Sequence, residues 1–481
     1  MNRFYPLDLS ALNNYSPPDD TAAGNLLEER LHGLRRKIVV LDDDPTGVQT
    51  VHGVSVYTGW EEDTIAQGFA EQNNLFFILT NSRSFTTSQT EAVHAEIGNR
   101  LARVSQQTKT DYILISRGDS TLRGHYPLET QVLRREIEAH SAKRFDGEII
   151  FPFFLEGGRY TLENIHYVKS GDRLIPVGET EFAKDKSFGY RSSDLTQWCA
   201  EKNAGKVQPE EVVSISLESL RALDLSRITA QLMQVSGFGK VVVNASAYAD
   251  VKVFIAAYLS VLALGKEFLF RSAAAVPKIL GGIPDKPLLT KEELVPDHCA
   301  RGGIILVGSH VQKTTRQLEA LQNSTSPIRF IEFNQHRVLE QGGLEDEARR
   351  VVREAEQAIA AGETAAVYTR RTRLDVDTDD KDQQLQISVA ISDALTSVIG
   401  NLEVCPRFIV AKGGITSSDV GTKALRVRKA LVMGQIQAGI PVWMTGPESK
   451  FPNIPYVIFP GNVGEDSTLL DVVKTLMGDR S

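Results

Sequence analysis

The sequence predicts an α/β fold of two domains, each a mostly parallel sheet flanked by helices, with a ligand cleft between them. Three observations carry that expectation. Short apolar runs recur along the chain, each ending in a polar loop and followed by a stretch of helical period. A Gly- and Pro-rich segment without periodicity, 281–297, breaks the pattern once, and the pattern then restarts. At 481 residues the chain exceeds the size at which a single core stops growing. The expected organisation is an N-terminal extension over 1–34, a first domain over 35–280, a linker over 281–300 and a second domain over 301–481.

The extension is polar and punctuated by Ser16-Pro17-Pro18-Asp19-Asp20. Strands are expected at 38–41, 54–57, 75–79, 112–115, 148–151 and 241–244. Between them, Val93, Ile97, Leu101 and Val104 recur at helical spacing, as do Leu128, Val132, Leu133 and Ile137. Pro127 suits the first turn of that second helix. After the linker, strands are expected at 303–307, 328–333, 365–369, 407–411, 442–444 and 456–459. Alternating strands and helices imply parallel sheets covered on both faces.

Composition narrows the function classes. Apolar residues at 42% and charged residues at 24% fit a globular protein. A formal charge of -8 argues against a nucleic-acid partner, which needs a basic face. Cys199, Cys299 and Cys405 are scattered and form no zinc spacing, so free thiols in a reducing compartment are expected. The amino terminus lacks an apolar core of signal-peptide type, and no apolar run approaches the ~20 residues that cross a bilayer. A cytoplasmic protein without a membrane partner is the expectation.

Loops at the carboxyl ends of strands are where open α/β sheets bind ligands. Strand 112–115 leads into Arg117, Asp119, Ser120, Thr121, Arg123 and Gly124. Such a loop suits a small anion with hydroxyls to position, although a solvated turn with an internal Arg–Asp pair reads equally well alone. Strand 38–41 ends in Asp42-Asp43-Asp44-Pro45-Thr46-Gly47. Capping and turn formation account for one or two of these aspartates, and three adjacent carboxylates call for a basic partner. Strand 75–79 delivers Arg83, and strand 148–151 delivers Glu156, Gly158 and Arg159. The candidate substrate-binding set is therefore Asp43, Arg83, Arg117, Arg123, Glu156, Gly158 and Arg159. Asp44 and Asp119 are the candidate catalytic acceptors of a hydroxyl proton. His125 and His166 lie nearby with no metal-like spacing, and lone histidines are more often structural. The polar stretch 177–185 reads as a loop on physical grounds alone.

In the second half the theme is backbone donors. Strand 303–307 is followed by Gly308-Ser309-His310, strand 407–411 by Lys412-Gly413-Gly414-Ile415-Thr416-Ser417, and strand 456–459 by Pro460-Gly461-Asn462-Val463-Gly464. Gly-rich turns that open onto helix amino termini present N–H groups to a phosphate. One such turn ends strands everywhere, whereas three together favour a phosphate site. Ser309, Gly413, Gly414, Thr416, Ser417, Gly461 and Gly464 are the candidate cofactor-binding residues. Neither GxxxxGK[ST] nor a GxGxxG after a strand occurs, which excludes a P-loop and counts against a dinucleotide fingerprint.

With these loops assembled, the chain resembles the four-carbon acid sugar kinase family over most of 37–464. The resemblance rests on Asp43-Asp44-Pro45-Thr46-Gly47, Ser82-Arg83, Asp119-Ser120-Thr121-Leu122-Arg123-Gly124 and Glu156-Gly157-Gly158-Arg159. It continues through Glu179-Thr180-Glu181-Phe182-Ala183-Lys184-Asp185, Gly308-Ser309, Gly413-Gly414-Ile415-Thr416 and Gly461-Asn462-Val463-Gly464. It implies an amino-terminal sugar-acid-binding domain, a carboxy-terminal nucleotide-binding domain, and phosphoryl transfer from ATP, with Mg²⁺, to a hydroxyl of a threonate, erythronate or 3-oxo-tetronate type of acid. Departures are the extension, the extra Asp42, and Lys186-Ser187-Phe188-Gly189-Tyr190-Arg191 where family members often carry a His-Pro-rich segment. The metal ligands and the assembly state, a homodimer included, stay open. An isomerase or aldolase acting on sugar acids would also use arginines and carboxylates, and a sugar-acid sensor would simply bind.

Overall fold

The computed structural model describes residues 5–295, 300–372, 374, 381–461 and 463–478. The first four residues of the expected extension, the 296–299 end of the expected linker with Cys299, and Asn462 lie outside the described residues. The chain forms two compact units, Met1–Val51 with Gly59–Asp285, and His52–Thr58 with Lys286–Ser481. Among the described residues no helix is long and apolar enough to cross a membrane.

In the first unit a parallel sheet runs in the order Val213–Ile215, Gly239–Val243, Gly147–Phe151, Phe268–Ser272, Tyr112–Arg117, Lys37–Asp42, Leu75–Leu79. Every residue of Leu75–Leu79 is buried, as expected of a strand covered on both faces. The helix Thr87–Thr108 starts in a capping box, where Thr86 and Gln89 satisfy each other's backbone N–H. It turns Ile97, Leu101 and Val104 into the core. The helix Leu128–His140 buries Val132, Leu133 and Ile137, each of which contributes about 1.5–3 kcal/mol by leaving water. Lys37–Asp42 lies between Tyr112–Arg117 and Leu75–Leu79, so the chain moves to opposite sides of it in successive steps. That switch point leaves a crevice at the carboxyl end of Lys37–Asp42.

A second, antiparallel sheet of the same unit runs Leu7–Asp8, Arg173–Pro176, Ile165–Ser170, Arg159–Leu162. The expected extension is built into the unit. Leu7–Asp8 forms an edge strand, and the helix Asp20–Leu31 buries Ala23 and Leu27, with Asp20 paired to Lys252 of the helix Tyr248–Ala263 at 2.7 Å.

The second unit is ordered Ser55–Tyr57, Lys429–Gln437, Ile440–Thr445, Pro455–Phe459, Ile409–Lys412, Ile304–Val307, Thr364–Thr369, Ile328–Phe333. From Pro455–Phe459 onward the pairs are parallel, and the earlier ones are antiparallel. Ile304–Val307 sits between Ile409–Lys412 and Thr364–Thr369, which makes a second switch point.

One expectation is corrected. The strand read at 54–57 as part of the first domain pairs with Lys429–Leu431 and belongs to the second unit. A short apolar run specifies extended backbone but carries no information about its partner.

Candidate functional site

In the first unit the loops after three adjacent strands converge through ion pairs. Arg83, which follows Leu75–Leu79, holds Asp43 by two hydrogen bonds, Nη2 to Oδ1 at 2.6 Å and Nε to Oδ2 at 3.1 Å. Its Nη1 reaches Asp44 Oδ2 at 3.2 Å. Arg117, at the end of Tyr112–Arg117 and only 4% exposed, donates to Asp42 Oδ1 at 3.1 Å and lies 3.6 Å from Asp43 Oδ1. The three consecutive aspartates are thus compensated by two guanidiniums, and Arg117 lies beneath them as a support. Asp44 also caps the short turn Pro45–Val48, accepting from Thr46 N at 2.8 Å and Thr46 Oγ1 at 2.5 Å.

Asp119 accepts on Oδ2 from Arg123 Nε at 2.6 Å and from the Thr121 hydroxyl. Its Oδ1 has no hydrogen-bond partner among the described residues. Arg123 lies over the Phe182 ring at 5.0 Å, with Arg159 over the same ring at 5.9 Å and Asp185 3.9 Å from Arg123 Nη1. The loop 177–185, featureless in the sequence pattern, therefore floors this part of the site. Gly124, at φ +119°, is pressed close. A Cβ there would lie 3.3 Å from Arg271 Nη2 and 3.4 Å from Asp43 Oδ2.

Two residues of these loops have left-handed backbone. Asn81 at φ 58° and buried Leu122 at φ 68° occupy the left-handed region, a cost of about 1–3 kcal/mol where a side chain is bulky. Such strain persists where surrounding contacts hold a site in shape.

Electrostatics separates the carboxylates. Burial pushes Asp42 up to about 7, with Arg117 opposing and Asp43 reinforcing the rise. Burial likewise raises Asp43 against the pull of Arg83 and Arg117. For Asp119, burial is outweighed by Arg83, Arg123 and the Thr121 hydrogen bond, so the carboxyl is held well below its usual range. Asp44 is lowered too, as Arg83 and Thr46 overcome burial. Asp119 is accordingly a weak base with an open lone pair, while both oxygens of Asp44 are engaged.

Other nearby residues have partners of their own. The Glu156 carboxylate accepts the Tyr248 hydroxyl at 2.8 and 3.0 Å, and no described contact ties it to the arginines. Gly158 shapes a hairpin, its carbonyl accepting Lys169 N at 2.8 Å. His166 is buried between the Thr161 hydroxyl (2.9 Å) and the Ser120 carbonyl (2.8 Å), a structural role. His125 bonds the Phe85 carbonyl at 3.0 Å. Sequence reasoning missed Arg271, at the end of Phe268–Ser272. Its guanidinium packs against Gly118 and donates to the Arg123 carbonyl at 3.0 Å. The apolar run Phe268-Leu269-Phe270 closing on an arginine was the available signal.

In the second unit the glycine-bearing turns meet. A Cβ on Gly413, which has φ +125°, would lie 3.2 Å from Thr416 Oγ1 and 3.3 Å from Ser309 Cβ. A Cβ on Gly308 would strike Thr416 Oγ1, and one on Gly461 would lie 3.5 Å from Ser309 Oγ. Ser309, Gly413, Thr416 and Gly461 therefore surround one small space, and the first N–H groups of the helix Gly414–Asp419 have no intrahelical acceptor. Ser417 differs. Its hydroxyl donates back to the Gly413 carbonyl at 2.7 Å and the Gly414 carbonyl at 3.1 Å. Gly464 offers its carbonyl to Lys313 Nζ at 2.9 Å. Lys412, fully buried, donates to the Pro460 carbonyl at 2.6 Å and the Gly461 carbonyl at 3.3 Å. Burial, with Lys313 nearby, lowers that ammonium to about 7. A glycine-lined space with open N–H groups and lysines fits the polyphosphate of a nucleotide. Among the described residues no group of three or more His, Cys, Asp or Glu is arranged to hold a metal ion.

Comparison with known proteins agrees with this division. A family profile described as a sugar-binding N-terminal domain matches residues 38–280, and one described as a nucleotide-binding C-terminal domain matches residues 304–469. Two solved structures share the fold at 16% identity. A Salmonella typhimurium LT2 protein provisionally named a tRNA synthase has a TM-score of 0.63, with 90% of this chain and 98% of that one covered. A Haemophilus influenzae protein from a domain-of-unknown-function family has a TM-score of 0.58, with 91% and 100% covered. No protein of curated function matches the sequence. The chain belongs to the family that joins a sugar-binding N-terminal domain to a nucleotide-binding C-terminal domain, the two-domain family its motifs resemble.

Proposed function

We propose that the protein is an ATP-dependent kinase that phosphorylates a hydroxyl of a four-carbon sugar acid of the threonate, erythronate or 3-oxo-tetronate type. The observation that carries this reading is the cluster at the first switch point, where Arg83, Arg123 and Arg271 surround Asp43, Asp44 and Asp119. Guanidiniums clamp a carboxylate bidentately, and Asp119 Oδ1 is open to a substrate hydroxyl. The second unit supports a nucleotide as donor through its glycine-lined space, with Ser309, Gly413, Gly414, Thr416 and Gly461 as its walls. Mg²⁺ is taken to arrive as the nucleotide complex and to neutralise phosphate charge.

Phosphoryl transfer runs through a loose transition state, so placement of the hydroxyl outweighs base strength. An acceptor as weakly basic as Asp119 suffices to orient it. Asp44, the other candidate, is engaged by Thr46 and Arg83 and serves to hold Arg83 in place. The test is an ADP-release assay over a panel of four-carbon acids. Acid-dependent ADP release supports the kinase. Turnover of an acid without ATP would replace it by an isomerase or aldolase, and saturable acid binding with no turnover would replace it by a sensor.

A further inference from the structure

Three cations stand at the carboxyl ends of the second unit's strands, around the Ser309 turn: Lys313, Arg371 and Lys412. None of them forms an ion pair among the described residues. Their neighbours do. Arg370 pairs with Glu332 at 2.9 Å and Arg316 with Asp466 at 3.0 Å. Lys412 is enclosed beneath the Pro460 and Gly461 carbonyls and fixes that turn.

Arg371 is different. It follows Thr364–Thr369, the strand beside Ile304–Val307, and so stands at the switch point itself. One edge is anchored, with Nη2 donating to the Ser309 carbonyl at 2.8 Å and to Thr315 Oγ1 at 2.7 Å. Its Nε and Nη1 are buried and have no hydrogen-bond partner among the described residues. Leaving such donors unfilled is unfavourable, more so on a charged group. A guanidinium held at one edge with its remaining donors open is preorganised for an oxyanion. Lys313, on the helix that also carries Thr315, adds a second positive charge beside the same turn. The two charges suit a polyanion better than a single carboxylate.

We propose that Arg371 is a phosphate ligand that binds the polyphosphate of the nucleotide, with Lys313 beside it. The proposal deepens the nucleotide-binding reading of this unit and is independent of the acceptor acid.

Titration calorimetry on the full chain, with inorganic tripolyphosphate, ATP and adenosine as probes, tests it. Arg371→Ala and Arg371→Gln are expected to weaken tripolyphosphate and ATP about tenfold or more, since a lost charge-assisted contact costs about 1.5–3 kcal/mol, and to leave adenosine unchanged. Arg370→Ala, the control, is expected to bind all three as the parent does. Thermal melts establish which variants are folded, and Arg371→Lys, expected to recover part of the affinity, carries the test if the neutral variants are not. The proposal is overturned if folded variants bind tripolyphosphate within twofold of the parent, or if the parent does not bind it. It also falls if adenosine affinity drops in parallel with that for ATP. Arg371-dependent binding of tripolyphosphate without binding of ATP would leave the anion site standing and remove the nucleotide reading instead.

Discussion

Arg83 closes a two-point clamp on Asp43 and extends its remaining Nη1 to Asp44. This one guanidinium compensates two carboxylates, Asp43 buried and Asp44 partly buried. Arg83→Ala leaves Asp43 with Arg117 alone, at 3.6 Å, and Asp44 with Thr46 alone, and breaking a buried pair from one side costs up to roughly 3–5 kcal/mol. Urea unfolding should register that loss. Arg83→Lys should restore little, because an ammonium cannot match the fork. A loss below about 1 kcal/mol would mean that the aspartates are neutralised in another way.

Arg123→Ala is expected to weaken sugar-acid binding by about tenfold or more while leaving ADP affinity unchanged, read by calorimetry. Arg123 touches Asp119, Phe182 and Asp185, all within the first unit. The reverse pattern would exchange the roles assigned to the two units.

Asp119→Asn should lower kcat about a hundredfold or more with KM nearly constant, since the amide oxygen still accepts from Arg123 Nε while the amide N–H group replaces the open acceptor. Asp44→Asn should instead raise KM and reduce stability, because Asp44 holds Arg83 and the Thr46 turn. Steady-state kinetics on the two variants separates the assignments. Unchanged turnover in Asp119→Asn removes it from the mechanism.

Gly413→Ala demands a φ of +125°, and Gly308→Ala drives a methyl group into Thr416 Oγ1. Both are expected to lose nucleotide affinity about tenfold or more with sugar-acid binding intact. Gly461→Ala is expected to be milder, its methyl group meeting Ser309 Oγ at 3.5 Å. Equal effects at all three positions would argue against a common space.

His166 is buried with its ring neutral, and burial lowers its pKa from the ordinary 6.5 to about 4. A depressed folded-state pKa contributes stability that is present above 6.5 and is lost as pH falls through about 4, because the unfolded chain takes up the proton first. Relative to His166→Gln, the parent should lose on the order of 3 kcal/mol between pH 7 and pH 4. Parallel stability curves for the two would show that the histidine is not the titrating group.

Much of this fold was legible because parallel strands buried on both faces read as unbroken apolar runs. Leu75–Leu79 matches its expected bounds, as does the half-exposed edge strand Ile328–Phe333, and the others shift by a residue or two. Most alternating or polar strands were not legible. Lys429–Gln437 is buried at every second residue and interrupted by Gly434, and the hairpins of Arg159–Pro176 mix charge with short apolar pairs. At the site, Asp43, Arg83, Asp119 and Arg123 could be named from the strand ends they follow. The engagement of Glu156 by Tyr248 and of Ser417 by its own helix could not, since both depend on contacts that no local pattern encodes. Arg271 was hidden for the same reason.

The route of the chain has a practical consequence. It leaves the first unit after Val51, contributes Ser55–Tyr57 to the other unit, and returns at Gly59 long before the passage at Asp285. Neither half is therefore a self-contained cassette. A fragment stopped at Asp285 would carry Ser55–Tyr57 without Lys429–Leu431, and a fragment begun at Lys286 would leave Lys429–Leu431 as an uncovered rim open to self-association. Excising either half for separate study would need the seven-residue excursion transplanted along with it.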